Sequence, residues 1–474
     1  MFLIFPVIYV SLFFIALYHI LHGRVHKMLL FIIFGLPIYI TTMSVTLMYG
    51  YGKYIPILQA FKELTILIAL ATIIFSVHRA VKLDKIDKLV LAYAAYSMLY
   101  VVLPVGNFPL YEKLLAFKTL SFFPFIYFAG RLIRVASVNI TEYFHYICLV
   151  TIAAAIVLVF EVVPYTHLQT VTGYADFNYY FYDLKPAGNY GLTWTFEIEN
   201  GLKRFASFFA NPLEHAASNL ITLSALIALA VINKRIVLTR LLVVAFAATV
   251  FSVIFALSRA SLASFFSIPY AYAWLAGKKR WLKIIHYGAA VGVLLFLLLL
   301  KGDLYDFIIN SIDFSNSSSV AHLIEWQNGL DAIIQHPLGL GLGSSGRTAA
   351  TAGLSVGGES QFIILSVQIG LIGLFLYLMI YFNIIITAAR MYKSPGGKIH
   401  KTAVFVFLLK ISLFIPLFTA EAESYLYISY IGWFFSGFLV NLKMQANDYR
   451  NRYPGFEAGR NRSEDNIGRD VQAI

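Results

Sequence analysis

The stretch MFLIFPVIYVSLFFIALYHILHG, Met1–Gly23, decides the class of fold. It is apolar over about 20 residues, the length that crosses a bilayer as one helix. It has no basic N-terminal region and no small-residue cleavage site, which favours a transmembrane span over a signal peptide. The whole chain is 59% hydrophobic and only 13% charged, about half the charged fraction of a soluble domain. These features predict an all-α polytopic integral membrane protein.

Similar apolar runs along the chain predict about thirteen transmembrane helices. They begin near residues 2, 28, 55, 89, 114, 144, 213, 241, 260, 284, 361, 402 and 425. Together they form a predicted transmembrane domain at residues 1–442, interrupted by loop A at about 162–212 and loop B at about 301–358. The polar segment 443–474 has few large aliphatic residues and is predicted to be a disordered cytoplasmic tail.

The distribution of charge predicts the orientation. With the N-terminus outside, most of the 36 Lys and Arg residues fall in cytoplasmic loops, as the positive-inside rule requires. The C-terminus is then cytoplasmic, and both long loops lie on the outer face. The net charge of +12 is therefore attributed to the Lys and Arg residues that are concentrated in cytoplasmic loops. No nucleic-acid partner is predicted.

The sequence argues against both a metal site and a disulfide bond. Asp84 and Asp87 lie in a basic cytoplasmic loop and are interpreted as a solvated face. The outer loops contain no acidic cluster of the kind that binds Mg²⁺, so no metal site is predicted. Cys148 is the single cysteine, which excludes an intrachain disulfide.

Three arginines in or beside the outer loops are candidate anion-binding residues. Arg204 opens RFASFFANPLEHA, Arg259 lies in the turn LSRAS between two spans, and Arg347 ends HPLGLGLGSSGR. A guanidinium binds phosphate through two parallel hydrogen bonds and stays charged. The alternatives are a solvated loop charge for Arg204 and anchoring at lipid headgroups for Arg259. The glycines of the third motif, including Gly341 and Gly343, either cradle an anion with their N–H groups or simply form a turn.

A carboxylate stands at the mouth of a predicted span, in GGESQFIILSVQIGLIG, residues 357–373. Glu359 either complements the dipole of the following helix or acts as a general base beside a hydroxyl nucleophile. The residue type does not choose between these roles. Before it, HLIEWQNGLDAIIQHP has apolar residues at helical spacing, which predicts a helix that ends at Pro337.

The order of these motifs resembles the O-antigen polymerase and O-antigen ligase superfamily of bacterial inner-membrane glycosyltransferases. The resemblance covers roughly residues 200–385. It rests on RFASFFANPLEHA, on SRASL at the start of a span, on a long outer loop with Trp326 before HPLGLGLG, and on a polar pair before QIGLIG. Each motif is degenerate, and the specificity lies in their order, spacing and side of the membrane.

The resemblance implies a GT-C-like helical fold and a metal-independent reaction without a cofactor. The donor is a glycan on undecaprenyl diphosphate. Polymerases transfer it to a second lipid-linked unit in the bilayer, whereas ligases transfer it to lipid A-core. A protein that regulates chain length is a further implied partner of a polymerase.

By position, the resemblance assigns diphosphate binding to Arg204 and Arg259. Ligases carry a histidine where this chain has Glu359, which favours a polymerase with a carboxylate base. Family members commonly carry an arginine four residues before the tryptophan, where this chain has His322. Arg347 or a protonated His322 is then expected to supply that charge. The remaining residues assigned to the substrate cleft are Trp326, His336, Gly341, Gly343, Ser360 and Gln361.

The predicted function is polymerisation of lipid-linked oligosaccharide units at the outer face of the inner membrane, for O-antigen, capsule or exopolysaccharide. An O-antigen ligase is the alternative within the superfamily. A transporter of polysaccharide or lipid-linked oligosaccharide is the non-enzyme alternative, although transporters commonly show internal repeats and midplane charges. The aromatic residues of loop A are expected to stack on sugars or to anchor at the interface.

Overall fold

The computed structural model describes residues 2–76, 81–198, 201–232, 235–299, 317–350, 356–394 and 397–452. Every predicted apolar run coincides with helix in these residues. Numbered in chain order, the helical segments are α1 Ile4–Leu21, α2 Val25–Met48, α3 Gly52–Ser76, α4 Lys85–Val102, α5 Leu110–Ser121, α6 Phe123–Leu132, α7 Ile140–Val162, α8 Leu168–Val171, α9 Tyr174–Tyr182, α10 Pro212–Ala230, α11 Arg240–Ala256, α12 Arg259–Leu275, α13 Lys279–Leu299, α14 Ser317–Gln335, α15 Gly346–Ala350, α16 Gln361–Met391, α17 Gly397–Thr419 and α18 Leu426–Arg452.

The described part of the chain is helical apart from loops and one short strand pair, in which Val231–Ile232 runs antiparallel to Arg235–Ile236. Among the described residues, seven helices are long and apolar enough to cross a membrane, which supports a polytopic membrane protein. The count of about thirteen crossings and the GT-C-like class remain predictions. The seven helices are α1, α2, α3, α7, α10, α16 and α17.

The predicted tail begins too early. Helix α18 continues through Arg452, so residues 443–452 are helical rather than disordered. Lys443, at the start of this stretch, donates to Asp84 Oδ2 at 2.7 Å, and this contact helps to hold the helix end against the bundle. The rest of the predicted tail, from residue 453 onward, lies outside the described residues.

Asp87 is not part of a solvated face, so that interpretation is wrong. Its side chain is fully buried, and Arg131 Nε donates to its Oδ2 at 3.0 Å. The hydroxyl of Tyr127 donates to the same carboxylate at 2.6 Å. A buried carboxylate is tolerated when a cation and hydrogen bonds compensate it, and here both come from α6, which the local sequence around Asp87 does not reveal.

Helices α6 and α18 approach each other closely through small residues. A Cβ atom at Gly130 would collide with the backbone of Phe434, and one at Gly437 would collide with the backbone of Tyr127. Close backbone approach through glycine is a common basis of helix association in lipid. This pair holds α18 in place, and the start of α18 contributes to the candidate site.

Short connections bring several helix ends to one side of the bundle. The chain reverses between α10 and α11 and again between α11 and α12, so α10 and α12 begin at the same end. Helices α16 and α17 are likewise joined by a short turn, so the start of α16 lies at the same end as the finish of α17. Because α17 packs against α10, α12 and α16, these ends surround one region, to which described residues of both long loops contribute.

Candidate functional site

Loop A places Arg204 beside Arg259. The backbone N–H of Phe205 donates to the carbonyl of Phe255 at 3.1 Å, which ties this part of the loop to the end of α11. Arg259 begins α12, and only two residues separate it from the end of α11 at Ala256. Burial and, to a lesser extent, the positive charge of Arg259 together lower the pKa of Arg204 to about 10. The structure therefore brings together the two arginines that the resemblance assigned to the diphosphate.

The neighbourhood of Arg204 favours an added anion. Its Nε atom is buried and has no hydrogen-bond partner among the described residues. A negative charge near the two guanidinium groups would offset both their repulsion and the loss of hydration. A diphosphate, which presents several acceptor oxygens, matches this requirement.

Arg347 has different surroundings. Its backbone N–H donates to Glu421 Oε2 at 3.0 Å. Burial acts to lower the pKa of Arg347, but the carboxylate of Glu421 and nearby tyrosines, including Tyr174 and Tyr425, outweigh this effect and raise the pKa. The side chain itself is exposed to solvent.

Two carboxylates near Arg347 escaped the sequence analysis. Glu421 is half-buried, and burial raises its pKa although the charge of Arg347 opposes the shift. Glu214, in the first turn of α10, is buried and also feels the charge of Arg347. The sequence offered one signal, since Glu214 follows Asn211-Pro212 at the start of a helix. Nothing in the local sequence pairs either glutamate with an arginine of loop B.

Glu359 meets His322, the other polar residue that departs from the family pattern. His322 lies on α14, and its Nδ1 is in direct contact with Glu359 Oε2. The two side chains are each about one-third exposed, at 34% and 38%. The two atoms are close, but neither makes a hydrogen bond of regular geometry with a described residue. A ring N–H at Nδ1 turned toward the carboxylate would orient it, and a protonated ring would add an ion pair. The structure thus joins two residues that the sequence placed in different roles.

The surroundings of this pair contain further polar atoms without partners. Buried atoms that lack a hydrogen-bond partner among the described residues include Ser360 Oγ and Trp326 Nε1. Ser360 directly follows Glu359, and Trp326 lies one helical turn after His322 on the same face of α14. Buried polar groups in native proteins are nearly always satisfied. Unsatisfied groups at one place therefore mark a site that a polar ligand or water fills.

Glycine contacts hold α14 against this site. The N–H of Gly358 donates to Glu325 Oε2 at 3.2 Å. Gly329 of α14 packs so tightly on Gly357 that neither position has room for a Cβ atom. Gly357 also has a positive φ of 66°, a backbone conformation that favours glycine. These contacts fix the distance between α14 and the residue before Glu359.

The glycine turn of loop B docks into a break in α16. The helix is non-helical at Ile369 and Gly370, and the freed carbonyl of Gln368 accepts from Gly341 N at 3.2 Å. The side chain of Gln368 accepts from Gly343 N at 3.0 Å and donates to the carbonyl of Ser345 at 2.9 Å. The N–H groups of Gly341 and Gly343 are thus engaged within the protein, and these two do not offer a cradle to an anion.

The other cleft candidates take separate positions. Gln361 is buried, and its Oε1 accepts from the backbone N–H of Glu423 at 3.3 Å. His336 is exposed at the end of α14, where its carbonyl accepts from Gly339 N at 2.8 Å. Gln361 therefore supports the site from within, whereas the side chain of His336 lies at its surface.

Two links connect the Glu359 site with the Arg347 cluster. Gly346, the residue before Arg347, lies against Ile364 one turn into the helix that follows Ser360. The segment Glu421–Glu423 contacts Arg347 through its first residue and Gln361 through its last. Within the described residues, no group of three His, Cys, Asp or Glu side chains is arranged to hold a metal ion.

Residues 244–378 match the family model described as O-antigen ligase. The resemblance to the O-antigen ligase and polymerase superfamily is confirmed by this match, which does not distinguish polymerase from ligase. The matched segment includes Arg259, His322, Arg347 and Glu359, whereas Arg204 precedes it. No curated protein matches the chain at a significant level. The match supports a glycosyltransferase-like membrane enzyme in general terms.

Proposed function

We propose that this protein polymerises oligosaccharide units carried on undecaprenyl diphosphate, at the outer face of the bacterial inner membrane. The observation that carries the proposal is the contact between Glu359 and His322 among unsatisfied polar atoms. This arrangement supplies a base for an acceptor hydroxyl. Arg204 and Arg259 supply positive charge for the diphosphate of the donor.

The reaction needs one bond exchange. The acceptor hydroxyl oxygen attacks sugar C1, and the bond from C1 to the diphosphate oxygen breaks with its electron pair leaving on the diphosphate. Glu359 takes the hydroxyl proton, as a general base within hydrogen-bond reach of its target does. His322 holds the carboxylate in place. The two arginines stabilise the charge that develops on the leaving diphosphate, so no metal is required in this scheme.

The bilayer contributes by holding both lipid-linked substrates at one depth. This restriction makes the encounter of donor and acceptor close to intramolecular. Exposed aromatic side chains of loop A, Tyr180 and Trp194 among them, offer flat faces for sugar rings. A ligase that transfers polymer to lipid A-core fits the family match equally well, and the test below separates the two.

The deciding experiment supplies the purified full chain with lipid-linked repeat units alone. A polymerase forms longer glycans on the lipid, whereas a ligase forms product only when lipid A-core is added. Failure to extend or transfer any lipid-linked glycan would overturn both readings and favour a transporter. Turnover should persist in EDTA, and its loss there would contradict the metal-free scheme.

The role of Glu359 is tested by Glu359→Gln. Removing a general base is expected to lower turnover about 10²–10⁴-fold while the protein still inserts and unfolds at the wild-type temperature. Glu325→Gln is the matched control, because glutamine at that position still accepts from Gly358. His322→Gln is expected to cause a smaller loss. A larger loss in His322→Gln than in Glu359→Gln would make His322 the base and Glu359 its positioning residue.

A further inference from the structure

An apolar groove lies on the side of the bundle between α7 and α11. Its volume is about 330 Å³, and it is open along its length. Its lining consists of alanines and larger aliphatic or aromatic residues. The lining residues are Ile152, Ala155, Ile156, Val159, Val244, Ala247, Ala248 and Phe251.

The groove runs along the two helices for about two turns. The residues from Ile152 to Val159, and from Val244 to Phe251, each span roughly 10 Å at the rise of an α-helix. No charged or hydrogen-bonding side chain lines it, so a polar occupant would lose its hydration without compensation. The occupant must therefore be a chain of hydrocarbon.

One end of the groove leads to the arginine pair. Phe251 contacts Phe255 one turn further along α11, with ring centroids 4.7 Å apart and the ring planes tilted by 54°. Phe255 contacts Phe205, the neighbour of Arg204, through both its carbonyl and its ring. The groove thus continues, through aromatic rings, to the place where Arg204 and Arg259 come together.

We propose that this groove holds the isoprenoid chain of the lipid diphosphate whose head group lies at Arg204 and Arg259. The inference rests on the proposed function and assigns the position of the donor's tail. One feature selects this occupant over a phospholipid acyl chain. The arginine pair at the end of the groove matches a diphosphate, which brings more negative charge than a phosphodiester.

Because lipid tails are as apolar as the groove, the chain gains only packing contacts by leaving the bilayer. The groove therefore orients the donor more than it tightens binding. Filling it should weaken the use of long-chain donors modestly and should not affect donors too short to reach it.

The test uses Ala247→Phe and Ala155→Phe, which fill the groove, and Ala153→Phe as the matched control on an exposed face of the same helix α7 outside the groove. The full chain is placed in nanodiscs of phosphatidylethanolamine and phosphatidylglycerol. The probe is a polyprenyl diphosphate without sugar that carries a photoreactive diazirine in its chain. Since binding of this probe needs no turnover, the readout is independent of the proposed reaction.

In wild type and in the control variant, crosslinks are expected on α7 and α11, competed by unlabelled polyprenyl diphosphate. The two groove variants should lose most of this labelling. Their KM for a long-chain glycan donor should rise about 3- to 10-fold, the scale of lost packing contacts, with no change for a two-isoprene donor.

Equal labelling of the groove variants and Ala153→Phe, or competition by phosphatidylglycerol as effective as that by polyprenyl diphosphate, would overturn the proposal and assign the groove to ordinary lipid. If the groove is labelled as expected but no glycan is polymerised, the groove assignment stands and the proposed function fails.

Discussion

Arg204 and Arg347 lie in loop A and loop B respectively, and the protein surrounds them differently. Arg204 is paired with a second arginine, and both burial and this neighbour lower its pKa to about 10. Arg347 lies against Glu421, and the neighbouring acidic groups raise its pKa despite burial. Arg204 thus lies where positive charge accumulates, whereas the charge of Arg347 is compensated by acidic neighbours.

This difference in electrostatic surroundings indicates that the two arginines have different roles. A site with accumulated positive charge is improved by an incoming anion, whereas a compensated arginine already has its counter-charge within the protein. We therefore expect Arg204 to act on substrate and Arg347 to hold loop B to the turn between α17 and α18. The sequence had placed both in one diphosphate-binding group.

The largest effect is expected from Arg204→Gln. Loss of one preorganised donor at a developing negative charge should lower turnover about 10²–10³-fold, with little change in thermal unfolding. Lys203→Gln is the control, since the Lys203 side chain donates to the carbonyl of Tyr165 at 2.5 Å rather than facing Arg259. Steady-state rates with a lipid-linked donor measure the effect. Equal losses in the two variants would break the comparison, because position beside Arg259 would then not matter.

Arg347→Gln is expected to act on stability instead. It removes the positive charge near Glu421, whereas the backbone hydrogen bond from residue 347 to Glu421 remains. The free energy of unfolding should therefore fall by about 1 kcal/mol, the upper end for a solvent-exposed pair. Thermal unfolding in detergent measures this. The double variant Arg347→Gln/Glu421→Gln should recover most of the loss. A double variant that is stable but inactive would show instead that Arg347 contacts substrate.

Arg259→Lys sharpens the comparison by keeping the charge and removing the planar fork. A lysine binds phosphate as a point charge, so KM for the donor should rise about 5- to 10-fold, the loss of one charge-assisted hydrogen bond. Arg280→Lys, in a loop predicted to be cytoplasmic, is the control. An unchanged KM in Arg259→Lys would support anchoring at lipid headgroups, the alternative that the sequence left open.

Local patterns in the sequence predicted the helices well, because apolar run length depends only on neighbouring residues. The helix in loop B was also predicted correctly, as the structure has α14 ending at Gln335 just before Pro337. The pairing of Arg204 with Arg259 followed from the resemblance, and the structure supports it. Each of these features could be predicted from one short segment of sequence, or from several such segments in a fixed order.

Contacts between distant segments were not predictable in this way. Asp87 accepts a hydrogen bond from Arg131 of another helix. The side-chain oxygen of Gln368 accepts a hydrogen bond from the N–H of Gly343. The Glu421 carboxylate reaches the backbone of Arg347 across 74 positions of sequence. In each case the partner decides whether a polar group is structural or available to a ligand, and the partner is set by tertiary packing.

A pH dependence is expected on the Arg204 side of the comparison only. His167 of loop A is buried, and its Nε2 donates to the carbonyl of Arg204 at 3.1 Å. Burial lowers the pKa of His167 to about 4, and the charge of Lys203 adds to the shift. Backbone hydrogen bonds at Arg204 and Phe196 oppose this lowering of the pKa without reversing it.

The sign of the effect follows from these values. In an opened loop His167 takes up a proton below its ordinary pKa of about 6.5, whereas in the folded loop it does so only near pH 4. Stability of loop A is therefore complete above about pH 6.5 and is lost as the pH falls towards 4, by about 2 kcal/mol at pH 5.

Limited proteolysis of loop A at pH 7 and pH 5 should reveal the opening, and the exposed His336→Gln variant should behave as wild type. His167→Gln, which cannot charge, should make loop A cleavage independent of pH in this range. A wild-type loop equally resistant at both pH values would show that Arg204 does not depend on a neutral His167 for its position.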